Sequence, residues 1–177
     1  MISTEDRAPL IVTATLPGDL QAWADRLRKA HFPPERNYLT AHVTLFHALP
    51  FNVLGEAKAL LARLAGEHSP VSARIDTVMD LGSGTAFSIH CPAMLDLRAE
   101  VAEHFHGMLT AQDRGKPRLH VTVQNKVRRA ESIALQQRLA AEFYPREFAF
   151  AGLALHHYRG GPWEDAGRWA FRGKRKA

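Results

Sequence analysis

A chain of 177 residues, 46% apolar and 23% charged, is long enough for one well-buried domain spanning 1–177 and short for two. Its 23 Lys and Arg against 18 Asp and Glu give a formal charge of +5 and a pI near 9.7, which suits anionic substrates or partners without naming one. A single cysteine, Cys91, excludes an intramolecular disulfide framework and cannot alone supply the thiolates of a structural zinc site, so a reducing compartment is expected.

Residues Pro9 to Thr15 (PLIVTAT) are rich in β-branched side chains and run into Pro17 and Gly18, which predicts a strand and a turn. Behind Asp19 as a candidate N-cap, Leu20, Trp23 and Leu27 mark one helix face that Pro33 and Pro34 end. TAHVTLFHALP reads as a strand reaching Pro50, and Ala57, Leu60, Leu61 and Leu64 as a second helix closed by Gly66 and Pro70. VSARIDTVMDL and TAFSIHC, separated by Gly82, Ser83 and Gly84, predict a hairpin. Pro92 opens a third helix, whose stripe of Met94, Leu97, Val101, Phe105 and Met108 covers nearly four turns. A basic loop, DRGKPR, leads into a strand LHVTVQ, a fourth helix over about 130–143 and two closing strands, REFAFAGLALHHY and GRWAFR.

The order β α β α β β α β α β β lacks a regular run of crossovers and argues for an α+β fold. No run approaches the ~18 apolar residues of a membrane span. Glu5 and Asp6 stand where a signal peptide would carry positive charge. A cytoplasmic protein is expected, most simply a monomer. The basic cluster from Arg172 to Lys176 reads as a solvated tail.

One tetrapeptide recurs, HVTL at His42–Leu45 and HVTV at His120–Val123, each after a helix and on a predicted strand. Ten His and fifteen Ser or Thr make about one His-x-Ser/Thr triplet expected by chance, but Val inside and an aliphatic residue after lower the expectation to roughly 0.01 per chain. Because strand side chains alternate, each copy presents an imidazole and a hydroxyl on one face, ~7 Å apart along the backbone, and buries its aliphatic residues on the other. On this alternation Gln124 is displayed with His120 and Thr122, whereas His47 falls on the Val43 and Leu45 face as a structural histidine. If the two strands meet across a cleft, one imidazole can take a proton from an attacking oxygen while the other gives one to a leaving oxygen. Thr44 and Thr122 can donate to the non-bridging oxygens of a phosphoryl group between them.

HVTLFHALP and HVTVQNK resemble the two His-x-Thr signatures of the 2H phosphoesterases, which include 2′-5′ RNA ligase-like proteins and 2′,3′-cyclic nucleotide phosphodiesterases. The resemblance covers essentially the whole chain. It implies a bilobal, pseudo-symmetric α+β fold with two antiparallel sheets lining a central cleft and helices outside. It also implies a catalytic pair His42 and His120, phosphate binders Thr44 and Thr122, and no metal or nucleotide cofactor. The expected activity is on a 2′,3′-cyclic phosphate or 2′-5′ phosphodiester at an RNA or nucleotide end. Two other readings stay open: an RNA-end-binding module without turnover, and a phosphodiesterase for small cyclic-phosphate metabolites. For hydrolysis of a cyclic phosphate the assignment is His120 as base toward water and His42 as acid toward the ribose oxygen, although the near-identical motifs give no intrinsic reason for that order.

Further candidates surround the motifs. Arg114, Lys116 and Arg118 precede His120, Lys126 and Arg128 follow its strand, and Arg36 precedes the first motif; all can steer a polyanion or simply form a basic surface. Arg118, two residues before His120, faces the same cleft if the strand includes it. In HHYRGGPW, Tyr158 and Trp163 are candidate base-stacking residues, with rim packing the commoner role. Alternation places His157 with Leu153 and Leu155, and His156 with Tyr158. His104 and His106 do not share a helix face, which argues against a metal site, and no HExxH, Walker loop or dinucleotide fingerprint is present.

Overall fold

The computed structural model describes residues 7–174, and these form eight strands and five helices. The first part of the chain gives β1 (Leu10–Thr15), α1 (Gly18–His31), β2 (Val43–Leu49), α2 (Leu54–Glu67), β3 (Val71–Asp80) and β4 (Thr85–His90). Then come α3 (Pro92–His104), α4 (Ala111–Arg114), β5 (His120–Gln124), α5 (Arg129–Glu142), β6 (Arg146–Phe150), β7 (Gly152–His157) and β8 (Glu164–Ala170). Two antiparallel sheets result, with strand orders β2-β1-β7-β8 and β5-β4-β3-β6, as the α+β reading expects. The strand that carries or directly follows each HVT histidine is an edge strand, beside the strand that precedes it in the chain: β1-α1-β2 in one lobe, β4-α3-α4-β5 in the other. The second sheet is drawn from a continuous stretch, 71–150, whereas the first is completed only by β7 and β8.

Apolar alternation explains the core. Leu10, Val12 and Ala14 of β1 join Leu153 and Leu155 of β7 and Leu60, Leu61 and Leu64 of α2 in one buried cluster. Ile75, Phe87, Val121, Val123 and Phe150 continue that cluster through the second sheet, each contributing roughly 1.5–3 kcal/mol by leaving water. Helix α1 lies at the junction: its Trp23 packs on Phe87 of the opposite sheet at 4.9 Å between ring centres. Among the described residues no helix is long and apolar enough to cross a membrane.

Several boundaries differ from the sequence reading, each for a physical reason. Pro17 caps α1 without a side-chain bond, and Asp19 sits in the first turn, where it pairs with Arg146. Gly66 lies inside α2, which ends a residue later. Helix α3 stops at His104: Phe105 stays buried, but Gly107 takes φ +81° and turns Met108 out to solvent. Part of the basic loop is helical, with Asp113 in α4 buried. REFAFAGLALHHY breaks at Ala151 into two strands of different sheets; a Cβ at Gly152 would meet the carbonyl of Trp169 on β8, so only glycine permits that pairing. Register shifts in the β1–β2 ladder turn Phe46 inward and His47 outward. Another shift, between Thr85 and Ala86, draws Gln124 inside, where Thr85 donates to it at 3.0 Å.

Candidate active site

The two motif histidines are held in the same way. His42 Nδ1 lies 2.8 Å from the carbonyl of Thr40, and His120 Nδ1 lies 2.7 Å from the carbonyl of Arg118. A carbonyl only accepts, so each Nδ1 carries its hydrogen and each Nε2 keeps its lone pair when the ring is neutral. Both rings are half-buried, as are Thr44 and Thr122 two residues on. The charge of His120 reaches His42, and β2 runs close to β5.

Crossed arginines from helices fasten the edge strands. Arg28 of α1 is buried across the ring of Phe32 and donates to the carbonyl of Thr122 at 3.1 Å. Arg98 of α3 is buried across the ring of Phe46 and donates to the carbonyl of Leu45 at 2.8 Å. Next to Arg98, the Asp113 carboxylate accepts from the backbone N–H groups of His47 and Ala48 and from the His47 ring, at 2.9–3.0 Å. Burial raises the Asp113 carboxyl, but those bonds outweigh it and hold the pKa below its ordinary value. Arg98 and Asp113 thus satisfy edge groups of β2 that no neighbouring strand reaches.

Trp163 packs against His42 at 4.4 Å between ring centres, and against His156 at 5.4 Å. Burial lowers His42 from the ordinary 6.5 to about 4; the nearby charges of Arg28, His156 and His120 act in the same direction, while the bond to Thr40 opposes them. His156 is 7% exposed, with Nδ1 at 3.1 Å from Asp165 and Nε2 at 3.0 Å from the Thr13 hydroxyl. Burial lowers its pKa too, Asp165 partly offsetting it.

Two cavities flank His42. One, of about 340 Å³, is walled by Thr13, His156, Trp163, Asp165 and Arg168. The other, of about 250 Å³, lies toward α1 and is walled by Arg28, Arg36, Tyr38, Thr122 and Lys126. Lys126 holds φ +62°, a left-handed conformation that costs a non-glycine residue roughly 1–2 kcal/mol.

Of the residues singled out in the sequence, His42, Thr122, Trp163, Arg36 and Lys126 line these cavities. Arg118 precedes β5 and is exposed, meeting the site through its carbonyl alone. Tyr158 is 44% exposed and lines neither cavity. His47 is a structural partner of Asp113, and His104 pairs with Glu56. Sequence reasoning missed Arg28, whose place on a helix suggests a solvated charge, and gave no role to His156. Among the described residues no group of three or more His, Cys, Asp or Glu is placed to hold a metal ion.

Comparison with known proteins agrees with this architecture. The family model for the 2′-5′ RNA ligase superfamily matches residues 16–162, and the chain belongs to that superfamily, among the 2H phosphoesterases that its motifs resemble. Of solved structures, TT0787 of Thermus thermophilus superposes with a TM-score of 0.63 at 19% identity, covering 94% of this chain and 100% of that one. E. coli LigT complexed with 3′-AMP gives 0.56 at 19% identity, covering 93% and 98%. A structure described as a phosphoesterase gives 0.56 at 21% identity, also covering 93% and 98%. At these identities the likeness is one of fold. A search of curated proteins finds no match.

Proposed function

We propose that this protein is a phosphoesterase that opens or forms a 2′,3′-cyclic phosphate or 2′-5′ phosphodiester at an RNA or nucleotide end, by acid/base catalysis between His42 and His120. The observation that carries the reading is the matched pair of Nδ1–H···O=C clamps, which leaves both Nε2 atoms free for proton transfer. Thr44 and Thr122 bind the phosphoryl oxygens. LigT, whose fold the chain shares, has been crystallised with 3′-AMP, ATP and NADP+, so nucleotides fit as ligands of such a cleft.

Burial removes the equivalence of the two motifs. In the free protein His42 is held neutral near pH 7, so it enters as the proton acceptor. This favours His42 as the base toward water and His120 as the acid toward the departing ribose oxygen, the reverse of the order assigned from the sequence. In the ligation direction the roles exchange.

The test is a panel of 2′,3′-cyclic mononucleotides, cyclic-phosphate-ended oligoribonucleotides and 2′-5′-linked dinucleotides, assayed with wild type, His42→Ala and His120→Ala. Turnover by wild type, abolished in both variants at a nearly unchanged Tm, is the expected outcome. Near wild-type rates in either variant remove the two-histidine mechanism.

A further inference from the structure

The cavity toward α1 has a nearly buried cation in its wall. Arg28 is 4% exposed, and among the described residues no carboxylate lies within ion-pair distance of it. Asp25, whose charge reaches it, uses its oxygens on the N–H of Ala41 and the amide of Gln21. Two donors of Arg28 are used, Nε on Asn37 and one terminal nitrogen on the Thr122 carbonyl. The other terminal nitrogen bonds to nothing, yet it is not sealed from solvent, so it opens on the cavity. Arg98, its counterpart on α3, also bonds through Nε and one terminal nitrogen, but it lines neither cavity. A nearly buried cation whose neighbouring carboxylate is engaged elsewhere gains from an anion that joins it. Arg36 and Lys126 add two exposed positive charges at the mouth of the same cavity.

This cavity is displaced from the histidine pair. It shares His42 and Thr122 with the cleft, but His120 and Thr44 are not among its walls. Its roughly 250 Å³ is many times the ~30 Å³ share of one water molecule.

We propose that the cavity is a second anion site, in which Arg28 from within and Arg36 and Lys126 at the rim bind a phosphate next to the one held between the two histidines. The inference rests on the proposed function and narrows it: the preferred substrate is a nucleotide with a further phosphate on its 5′ side, as in an RNA chain end, and not a bare 2′,3′-cyclic mononucleotide.

Calorimetric binding of unreactive nucleotides tests this. Wild type should bind adenosine 3′,5′-bisphosphate or its 2′,5′ isomer on the order of tenfold more tightly than the matching 3′- or 2′-monophosphate. In Arg36→Gln/Lys126→Gln, whose altered residues are exposed and leave the interior intact, the ratio should fall toward one. In Lys58→Gln/Lys174→Gln, equal in charge and outside both cavities, it should stay at the wild-type value. Arg28→Lys, which keeps the charge but loses the fork, should lower it as well. A wild-type ratio near one, or an equal fall in both double variants, overturns the second site. Failure of the proposed function is distinct, since it appears as no binding of the monophosphates and no turnover on the panel.

Discussion

Acidification should destabilise this protein through His42. In the unfolded chain the ring takes up a proton near its ordinary 6.5, whereas in the folded cleft it stays neutral down to about 4. Between those values the unfolded chain binds more protons, so the stability contributed by neutral His42 is fully present above pH 6.5 and is lost as pH falls toward 4. The gap of about 2.5 in pKa, at ~1.4 kcal/mol per unit, makes the loss at most about 3.5 kcal/mol. The assay is urea unfolding of wild type and His42→Gln at a series of pH values, with the difference in unfolding free energy followed from pH 7 to 4. Wild type should lose more than the variant, and Trp163→Ala, which strips the ring packed on His42, should lessen the loss and raise the His42 titration seen by NMR. Parallel curves for wild type and His42→Gln across that window would refute the buried, neutral imidazole.

The rate should rise and then fall with pH, bounded by two macroscopic values that belong to the coupled pair; a rate climbing steadily to pH 10 with chemistry rate-limiting excludes a histidine acid. Activity should survive EDTA, and loss on chelation reversed by a divalent ion would move the protein to another mechanism. Asp113→Ala leaves two N–H groups of β2 without an acceptor and should cost roughly 2–4 kcal/mol in denaturant unfolding, with kcat falling as the His42 strand loosens; an unchanged midpoint refutes the staple.

The two His-x-Thr strands were legible because their signal is local: a residue pattern of period two repeated in two contexts, with the sheet supplying the rest. His156 was half legible. Alternation does put it opposite Leu153 and Leu155, but β7 is a central strand buried on both faces, and no local pattern tells that the second face is a polar cleft wall. Arg28 and Asp113 were illegible because their partners, Thr122 and His47, are 94 and 66 residues away. A charged residue on an amphipathic helix reads as solvated unless one knows that the helix lies across the junction of two sheets. Phe46 and His47 were exchanged between faces by a register shift, which only the pairing of two strands can produce.

The order of strands in the first sheet also sets a schedule. β1 lies between β2 and β7, so until residues 152–157 have been made one side of β1 is bare, and β8 must still follow. The second sheet needs nothing beyond residue 150. During synthesis the half that carries His120 can therefore close first, while the sheet beside His42 waits for β7 and β8 and for Trp163 in the loop that joins them. A nascent chain of this kind therefore holds His42 without its aromatic neighbour until after the second sheet has had the chance to close.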